Sequence, residues 1–420
     1  MTRIRWYADV EVRQILAVLV AAASLAGQGR QTTGLALVGG TVYTSPAAEP
    51  IRDSVVLIRD GRIAAVADRR SIQIPGGVDT IDCAGRTVTA GFWNSHVHFF
   101  ERKWTDAAAI PAPELGQQLQ EMITQYGFTS AFDLASPWTN TRLIRDRIES
   151  GEVPGPRIRS TGEALVAPGA VPADPVIRAL GYMVTRNMEV SDAAQATAAT
   201  VKLLDMGVDG IKVHLQPPPA PDSPISASAI EAAVAAAHRA GKPVFVHPNG
   251  AADVLAAARA GVDVIAHTTP TSGPWDDTIM STMKDRRVAL IPTLMVWKTL
   301  LRHERVSIQA SSVANAIAQL RAWTATGGTT LFGTDLGAAD YDPADEYALM
   351  AQAGMTVRQI LAALTTAPAE RFGVSRQLGK VEAGFAADLA VLRGDPSTDV
   401  RALAAVQYTI RDGRIIYRSN

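Results

Sequence analysis

The sequence contains very little cysteine: Cys83 is the single one among 420 residues. One thiol cannot form a disulfide within the chain, and it cannot build a zinc site from several thiolates. No histidine stands near Cys83 in the sequence, which argues against a catalytic thiolate. We therefore interpret Cys83 as a small buried residue.

An excess of charge of one sign is also lacking. The sequence contains 40 lysine and arginine residues and 41 aspartate and glutamate residues, and it has no long basic run. Nucleic-acid binding needs clustered positive charge, so the sequence excludes a nucleic acid partner and leaves a small-molecule substrate. A hydrophobic content of 47% is typical of a folded protein with a large core. At this length, a single compact unit is unusual unless it is a barrel.

A hydrophobic run long enough to span a membrane is lacking as well. Residues 15–25 are apolar, but a membrane-spanning helix needs roughly 20 such residues. Arginines precede this run and small residues follow it, a pattern typical of a secretory signal. We interpret residues 1–26 as a signal peptide, which predicts a periplasmic or secreted mature protein without an integral membrane span. Asp9 and Glu11 are unusual in such a signal, so an uncleaved anchor or a buried first helix stays open.

The two ends of the chain share a strand-rich pattern with nearly repeated hairpins. Residues 58–66 read IRDGRIAAV and residues 410–417 read IRDGRIIY. An Asp-Gly pair between apolar runs is a strong hairpin signal. We predict one small β-sandwich-like domain built from residues 33–88 and 377–420.

The middle of the chain, residues 89–376, alternates between buried-type strands and Ala-rich amphipathic helices. A first strand ends at His98, and the other predicted strands cover residues 127–136, 157–166, 210–215, 243–249, 262–269, 288–296 and 329–335. The predicted helices cover residues 114–126, 140–149, 191–206, 226–240, 251–260, 276–285, 311–326 and 357–372. Eight such units predict an α/β fold, a (β/α)₈ TIM barrel. An open doubly wound sheet is the alternative, and it is disfavoured because no Gly-x-Gly-x-x-Gly turn follows an early strand.

Polar residues stand in or at the ends of these strands. His96 and His98 are two positions apart, so an extended strand points both imidazoles to one face. The others are Lys212, His247, His267 and Asp335. Each alone has an ordinary explanation, as a core histidine, a structural ion pair or a helix cap. Because the carboxyl ends of barrel strands meet at one mouth, we expect the six to converge and form a metal site.

Six motifs carry a resemblance to a known family. They read AGFWNSHVHF, GIKV, VFVHPNG, GVDVIAHT, LFGTD and GKVEAGFAADLAVL. The chain resembles the amidohydrolase superfamily from about residue 33 to its end. Within that superfamily it is similar to imidazolonepropionase-like and prolidase-like (Xaa-Pro dipeptidase-like) metal-dependent hydrolases.

The resemblance implies two divalent metal ions, with Zn²⁺ as the first choice and Mn, Co or Fe as alternatives. The implied metal ligands are His96, His98, Lys212, His247, His267 and Asp335. Lys212 would bridge the ions as a carboxylated lysine, and an unmodified Lys212 would leave a one-metal enzyme. A symmetric homo-oligomer is expected from the resemblance only.

The expected activity is hydrolysis of a C–N bond in a small dipeptide, N-acyl amino acid or cyclic amide. A hydroxide between the ions would attack, and Asp335 would take its proton and deliver it to the leaving nitrogen. His214, Arg302 and His303 are the predicted substrate contacts. Lactone or ester hydrolysis by the same site is the rival activity, and a non-catalytic barrel scaffold is the alternative from another class.

Overall fold

A computed structural model describes residues 34–170, 186–215, 225–302, 309–335 and 341–420. The predicted signal peptide and His303 lie outside these residues. Within the described ranges, no helix combines the length and apolar character that crossing a membrane would require.

The described chain contains the following strands and α-helices. The strands are β1 (Gly34–Val42), β2 (Ile51–Arg59), β3 (Arg62–Asp68), β4 (Asp79–Asp82), β5 (Thr87–Ala90), β6 (Phe92–Val97), β7 (Phe128–Asp133), β8 (Arg157–Ser160), β9 (Leu165–Val166), β10 (Met188–Glu189), β11 (Ile211–His214), β12 (Val244–His247), β13 (Val264–Ala266), β14 (Ala289–Ile291), β15 (Leu389–Leu392), β16 (Val406–Arg411) and β17 (Arg414–Arg418). The helices are α1 (Ala112–Met122), α2 (Trp138–Glu149), α3 (Ala193–Asp205), α4 (Ala227–Arg239), α5 (Ala251–Arg259), α6 (Asp277–Asp285), α7 (Leu294–Arg302), α8 (Ser312–Ala325), α9 (Ala344–Gln352), α10 (Val357–Leu364) and α11 (Thr366–Arg371).

Strands from both ends of the chain form one eight-stranded sheet. Its order is β17-β16-β15-β5-β1-β2-β3, with β4 paired to β1. Both predicted hairpins are confirmed: Asp60 and Gly61 have φ of 52° and 76°, and Asp412 and Gly413 have 48° and 72°. Positive φ at both central residues is the type I′ turn that suits the twist of paired strands. The two turns come together through Ala387, which donates to Gly61 O and accepts from Gly413 N, both at 2.9 Å.

Between these ends, the strands are parallel and form two sheets. One has the order β6-β7-β8, and the other has the order β10-β9-β11-β12-β13-β14. The predicted alternation is confirmed, since Ala-rich helices such as α4 separate the strands and bury their apolar face. The bounds of most predicted helices agree with the structure to within a turn.

The segment at residues 329–335 stands between the two parallel sheets. It was predicted as the eighth strand, and it forms one isolated parallel bridge to β14 rather than a regular strand. On one side, Leu331 N donates to Leu290 O at 2.9 Å; on the other, Ser95 N donates to Phe332 O at 2.8 Å. The segment therefore connects β14 of one sheet to β6 of the other.

The two parallel sheets also meet between β8 and β11. Asp209 N, just before β11, donates to Ser160 O at the end of β8, at 2.7 Å. The sheets of the described residues are not a single closed ring, although hydrogen bonds join them at two places, between β14 and β6 through residues 329–335 and between β8 and β11.

Two predicted elements break at residues that cannot continue them. The predicted strand at 288–296 is wrong beyond Ile291, because Pro292 cannot donate to a ladder and Thr293 has φ of 43°. Helix α7 begins directly afterwards. The predicted helix at 357–372 is divided into α10 and α11, since Pro368 has no N–H for the carbonyl four residues earlier.

Candidate metal centre

The first pair of predicted ligands lies at the end of β6. His96 and His98 are buried, and their Nε2 atoms are 3.2 Å apart. Asn94 anchors this strand end: its Nδ2 donates to Thr334 Oγ1 at 2.8 Å, and its Oδ1 accepts from the backbone N of His96 at 3.2 Å. The strand alternation and this amide therefore aim both imidazoles at one point.

Asp335 completes a compact group with these imidazoles. Its backbone N donates to His96 O at 2.9 Å, and its φ of 58° lies in the left-handed region that aspartate tolerates. Its Oδ1 lies 2.7 Å from His98 Nε2 and 3.2 Å from His96 Nε2. Ligand atoms around a tetrahedral zinc ion are about 3.3 Å apart, given bonds of roughly 2.0 to 2.1 Å. The three atoms thus have nearly the spacing of one metal site.

The remaining histidines continue the group across the parallel strands. The ring centroid of His267 lies 4.7 Å from those of both His96 and His247. His214 stacks on His247, also at 4.7 Å, because parallel pairing of β11 with β12 places the two residues side by side. All five rings therefore form one continuous cluster.

Lys212 is buried against this cluster. Its side chain is 1% exposed, and its neighbours along β11 are the apolar Ile211 and Val213. Burial lowers the pKa of the Lys212 amine from 10.5 to about 7, and the nearby Asp335 carboxylate only partly opposes this effect. An amine with this pKa is largely neutral just above neutral pH.

Burial also lowers the pKa of several histidines in the cluster. It lowers the pKa of His267 to about 3 and holds the pKa of His96 and His214 well below the ordinary value. These rings are therefore neutral and carry a free electron pair at neutral pH. Burial opposes the charge of Asp335, but the imidazoles of His96 and His98 hold the pKa of its carboxyl well below the usual range. The cluster thus combines neutral nitrogen donors with one carboxylate.

Several polar atoms of the cluster are buried without a hydrogen-bond partner. Within the described chain they include His96 Nδ1, His98 Nδ1, His214 Nδ1 and Lys212 Nζ. Buried polar atoms are nearly always satisfied, so a group of such atoms indicates that something binds there. Neutral imidazoles and a carboxylate are the donors that zinc and similar divalent ions prefer, so these residues fit the metal that the sequence predicts.

Two supporting contacts were not predicted from the sequence. Thr293 Oγ1 lies 2.8 Å from His267 Nδ1. Asp133, at the end of β7, accepts from Ser160 Oγ at 2.6 Å and from Ser136 Oγ, which in turn accepts from Phe99 N at 2.7 Å. The available signal for this network was Asp133, the single charged residue of β7. It links β7 and β8 to the backbone directly after His98.

The three predicted substrate contacts have different outcomes. His214 belongs to the imidazole cluster, as described above. Arg302 does not: it lies at the exposed end of α7, and its guanidinium is 3.4 Å from Asp345, which also binds Lys298 at 2.5 Å. His303 lies outside the described residues.

The chain is similar in sequence and fold to known proteins. The profile of the Amidohydrolase family matches residues 87–416. Among curated relatives, an ochratoxinase of Aspergillus niger is 24% identical over 414 residues, covering 87% of this chain and 83% of that protein. A solved Xaa-Pro dipeptidase with methionine bound in its active site has a TM-score of 0.78 at 23% identity, over 92% of this chain and all of that one. A solved prolidase in complex with N-methylphosphonate-L-proline has a TM-score of 0.75 at 25% identity, with the same coverage.

Proposed function

Because this chain belongs to the amidohydrolase family and is a hydrolase acting on carbon–nitrogen bonds, we propose that it cleaves an amide bond in a small substrate. The substrate would be a dipeptide, an N-acyl amino acid or a cyclic amide. The convergence of His96, His98 and Asp335 within 3.2 Å carries this proposal, together with the buried amine of Lys212, which has no hydrogen-bond partner among the described residues. The names of the similar proteins, a dipeptidase, a prolidase and an ochratoxinase, favour substrates of this size.

The donor set supports a binuclear site. His96, His98 and Asp335 would hold one divalent ion, with zinc as the first choice, and His247 and His267 would hold a second. Bound there, such ions polarise a carbonyl group and lower the pKa of water.

Lys212 is the residue that could join the two ligand groups. Its neutral amine would add to CO₂ through a new N–C bond and release one proton, which gives an anionic carbamate. Burial favours this reaction because it removes the positive charge that makes an ordinary lysine unreactive. The carbamate oxygens would then satisfy a position where Lys212 Nζ has no partner among the described residues.

Asp335 is the proposed proton carrier. Its carboxyl is ionised at neutral pH and 8% exposed, so it can accept a proton from the attacking water. Its Oδ1 lies 2.7 Å from His98 Nε2 and its Oδ2 lies 3.9 Å from His267 Nδ1, and the protonated carboxyl would deliver the proton to the leaving nitrogen. Burial lowers the pKa of His96 and His267, so these two rings stay neutral and do not compete for that proton.

The finer features of the fold and location belong to the same proposal. Residues 89–376 would close into a (β/α)₈ barrel, which the bonds through residues 329–335 and Asp209 support. Residues 33–88 and 377–420 would form the β-sandwich-like domain. Export through a signal at residues 1–26, to the periplasm or the outside, rests on the hydrophobic run alone.

The test is hydrolysis by protein stripped of metal with a chelator and then reloaded with Zn²⁺, Mn²⁺ or Co²⁺. The panel contains dipeptides, N-acyl amino acids, cyclic amides and lactones. We expect reloading to restore cleavage of at least one amide, and Asp335→Asn to lower kcat by about 10² to 10⁴, as loss of a general acid–base does. Asp285→Asn, on the exposed surface, is the matched control. Cleavage of lactones alone would favour the ester-hydrolysing activity, and a protein that takes up no metal and cleaves nothing would favour a scaffold.

A further inference from the structure

The bend between β14 and α7 is strained. Thr293 is fully buried there with φ of 43°, and a β-branched residue rarely adopts this conformation. Such a residue persists only where the surrounding structure holds it. The bend therefore needs a partner that stabilises it.

Glu346 of α9 supplies that partner. It is fully buried, and its two carboxylate oxygens accept hydrogen bonds from the backbone N atoms of Leu294 at 3.0 Å and Met295 at 2.6 Å. These are the first two N–H groups of α7, which have no partner within the helix. Without the carboxylate, both would be buried and unsatisfied.

The carboxyl group of Glu346 has no cation beside it in the described chain. The adjacent Asp345 takes the nearby ammonium of Lys298, at 2.5 Å, on the exposed side of the same helices. Burying an acid without a counterion is costly, and burial raises the pKa of Glu346 to about 8. A residue kept at that cost is a candidate for a specific role.

The bend that Glu346 holds presents one hydroxyl to the imidazole cluster. Thr293 Oγ1 lies 2.8 Å from His267 Nδ1. His267 is itself held with φ of 81°, and its backbone N donates to Ile291 O at 2.8 Å, at the end of the same strand. The bend therefore holds the Thr293 hydroxyl in place, and the backbone bond to Ile291 holds His267 beside it.

We propose that Glu346 is a positioning residue for His267. Glu346 fixes the bend at Thr293. The Thr293 hydroxyl then accepts the Nδ1–H of His267. This hydrogen bond selects the tautomer in which Nε2 carries the free electron pair. The tautomer is a property of the metal-free protein. Its consequence, a nitrogen ready to bind an ion, rests on the proposed function.

The first test reads the tautomer directly, by long-range proton–nitrogen NMR of metal-free, ¹⁵N-histidine-labelled protein. Thr293→Ser keeps the hydroxyl and should retain the Nδ1–H tautomer, whereas Thr293→Val keeps the shape and should shift His267 toward the Nε2–H form. Glu346→Gln should shift it in the same direction, since an amide cannot accept from both N–H groups. Asp345→Asn alters the neighbouring acid and should leave the spectrum unchanged.

The second test measures metal affinity by competition with a chelator. Loss of a group that orients a ligand typically costs 10-fold to 100-fold in affinity, and we expect this for Thr293→Val and Glu346→Gln but not for Asp345→Asn. A wild-type tautomer in Thr293→Val, or a Glu346→Gln protein that is folded and has the wild-type tautomer, would overturn the proposal. A shifted tautomer in a protein that never binds metal would support the positioning role and refute the proposed function.

Discussion

Replacing Lys212 by methionine is expected to stabilise the metal-free protein while abolishing its activity. The amine is 1% exposed and has no hydrogen-bond partner in the described chain. Burial lowers its pKa from 10.5 to about 7. At about 1.4 kcal/mol per pH unit, this difference corresponds to at most about 5 kcal/mol of cost for burying the ammonium. Replacing buried charges by apolar residues of similar volume often gains about 1 to 4 kcal/mol, so we expect a gain of about 2 to 4 kcal/mol at pH 7.

The gain in stability from Lys212→Met should depend on pH in a defined direction. Between pH 10.5 and about 7, the unfolded chain binds a proton at Lys212 that the folded chain does not bind. The stability of the wild-type protein therefore falls as the pH is lowered through this interval, and this group adds no further change below it. The methionine variant lacks the slope, so its advantage should grow from pH 10 to pH 7 and then stay constant.

The assay is urea denaturation of metal-free protein in CO₂-free buffer at several pH values from 6 to 10. CO₂ is removed so that carboxylation of Lys212 does not contribute. Lys202→Met, on the exposed face of α3, is the control and should show no such gain. A methionine variant that is less stable than the wild type at pH 7, or whose gain is the same at every pH, would refute the reasoning.

Three further outcomes are expected. His98→Ala should keep a cooperative thermal transition but lose bound metal in elemental analysis, whereas His238→Ala, on α4 at an exposed contact with Asp263, should keep both. Gly333→Ala would place a Cβ 2.9 Å from the Cβ of His96 and should lower the free energy of unfolding by about 1 to 3 kcal/mol in urea denaturation. Gly76→Ala, whose Cβ would meet none of the described atoms within 4 Å, should lower it little. Metal-free protein should lose stability as the pH falls from 6.5 toward 3, by about 1.4 kcal/mol per unit for His267 alone, because the unfolded chain binds the proton first.

Each of these outcomes can fail in a distinct way. Full metal content in His98→Ala would remove β6 from the site. A Gly333→Ala protein as stable as the wild type would mean that the residues around Gly333 can shift to accommodate the added Cβ at little cost. Acid unfolding with the same slope in His267→Gln would show that this imidazole is not held neutral by burial.

The parts of the fold that were predicted correctly depend on neighbours in sequence. The hairpin turn at Asp60 and Gly61 needs two residues with positive φ, and few residue pairs other than Asp-Gly satisfy that need. The helix α4 likewise follows from apolar residues at helical spacing and the serine at its N-cap. Such signals act over a few positions, so the sequence alone is sufficient to detect them.

The unpredicted parts depend on residues far apart in the chain. The run from 288 to 296 is apolar throughout, and its periodicity does not separate a buried strand from a buried helix. The helix α7 starts inside it because Glu346, 52 positions later, satisfies the N–H of Leu294. The isolated bridge at residues 329–335 has a related cause, since its backbone bonds two different strands on its two sides.

The metal centre combines features that each lower the stability of the unliganded protein. His267, Thr293 and Asp335 have positive φ, which costs about 1 to 3 kcal/mol each, and Lys212 is buried without a partner in the part of the chain that the structure describes. A bound ion acts in the opposite direction, because a ligand at 1,000 times its Kd stabilises the folded state by about 4 kcal/mol. That gain is similar in size to the expected cost of Lys212 alone. The residues of the centre therefore lower the stability of the folded state without an ion, and a bound ion restores it. The stability of the fold is thus coupled to ligand binding at this site.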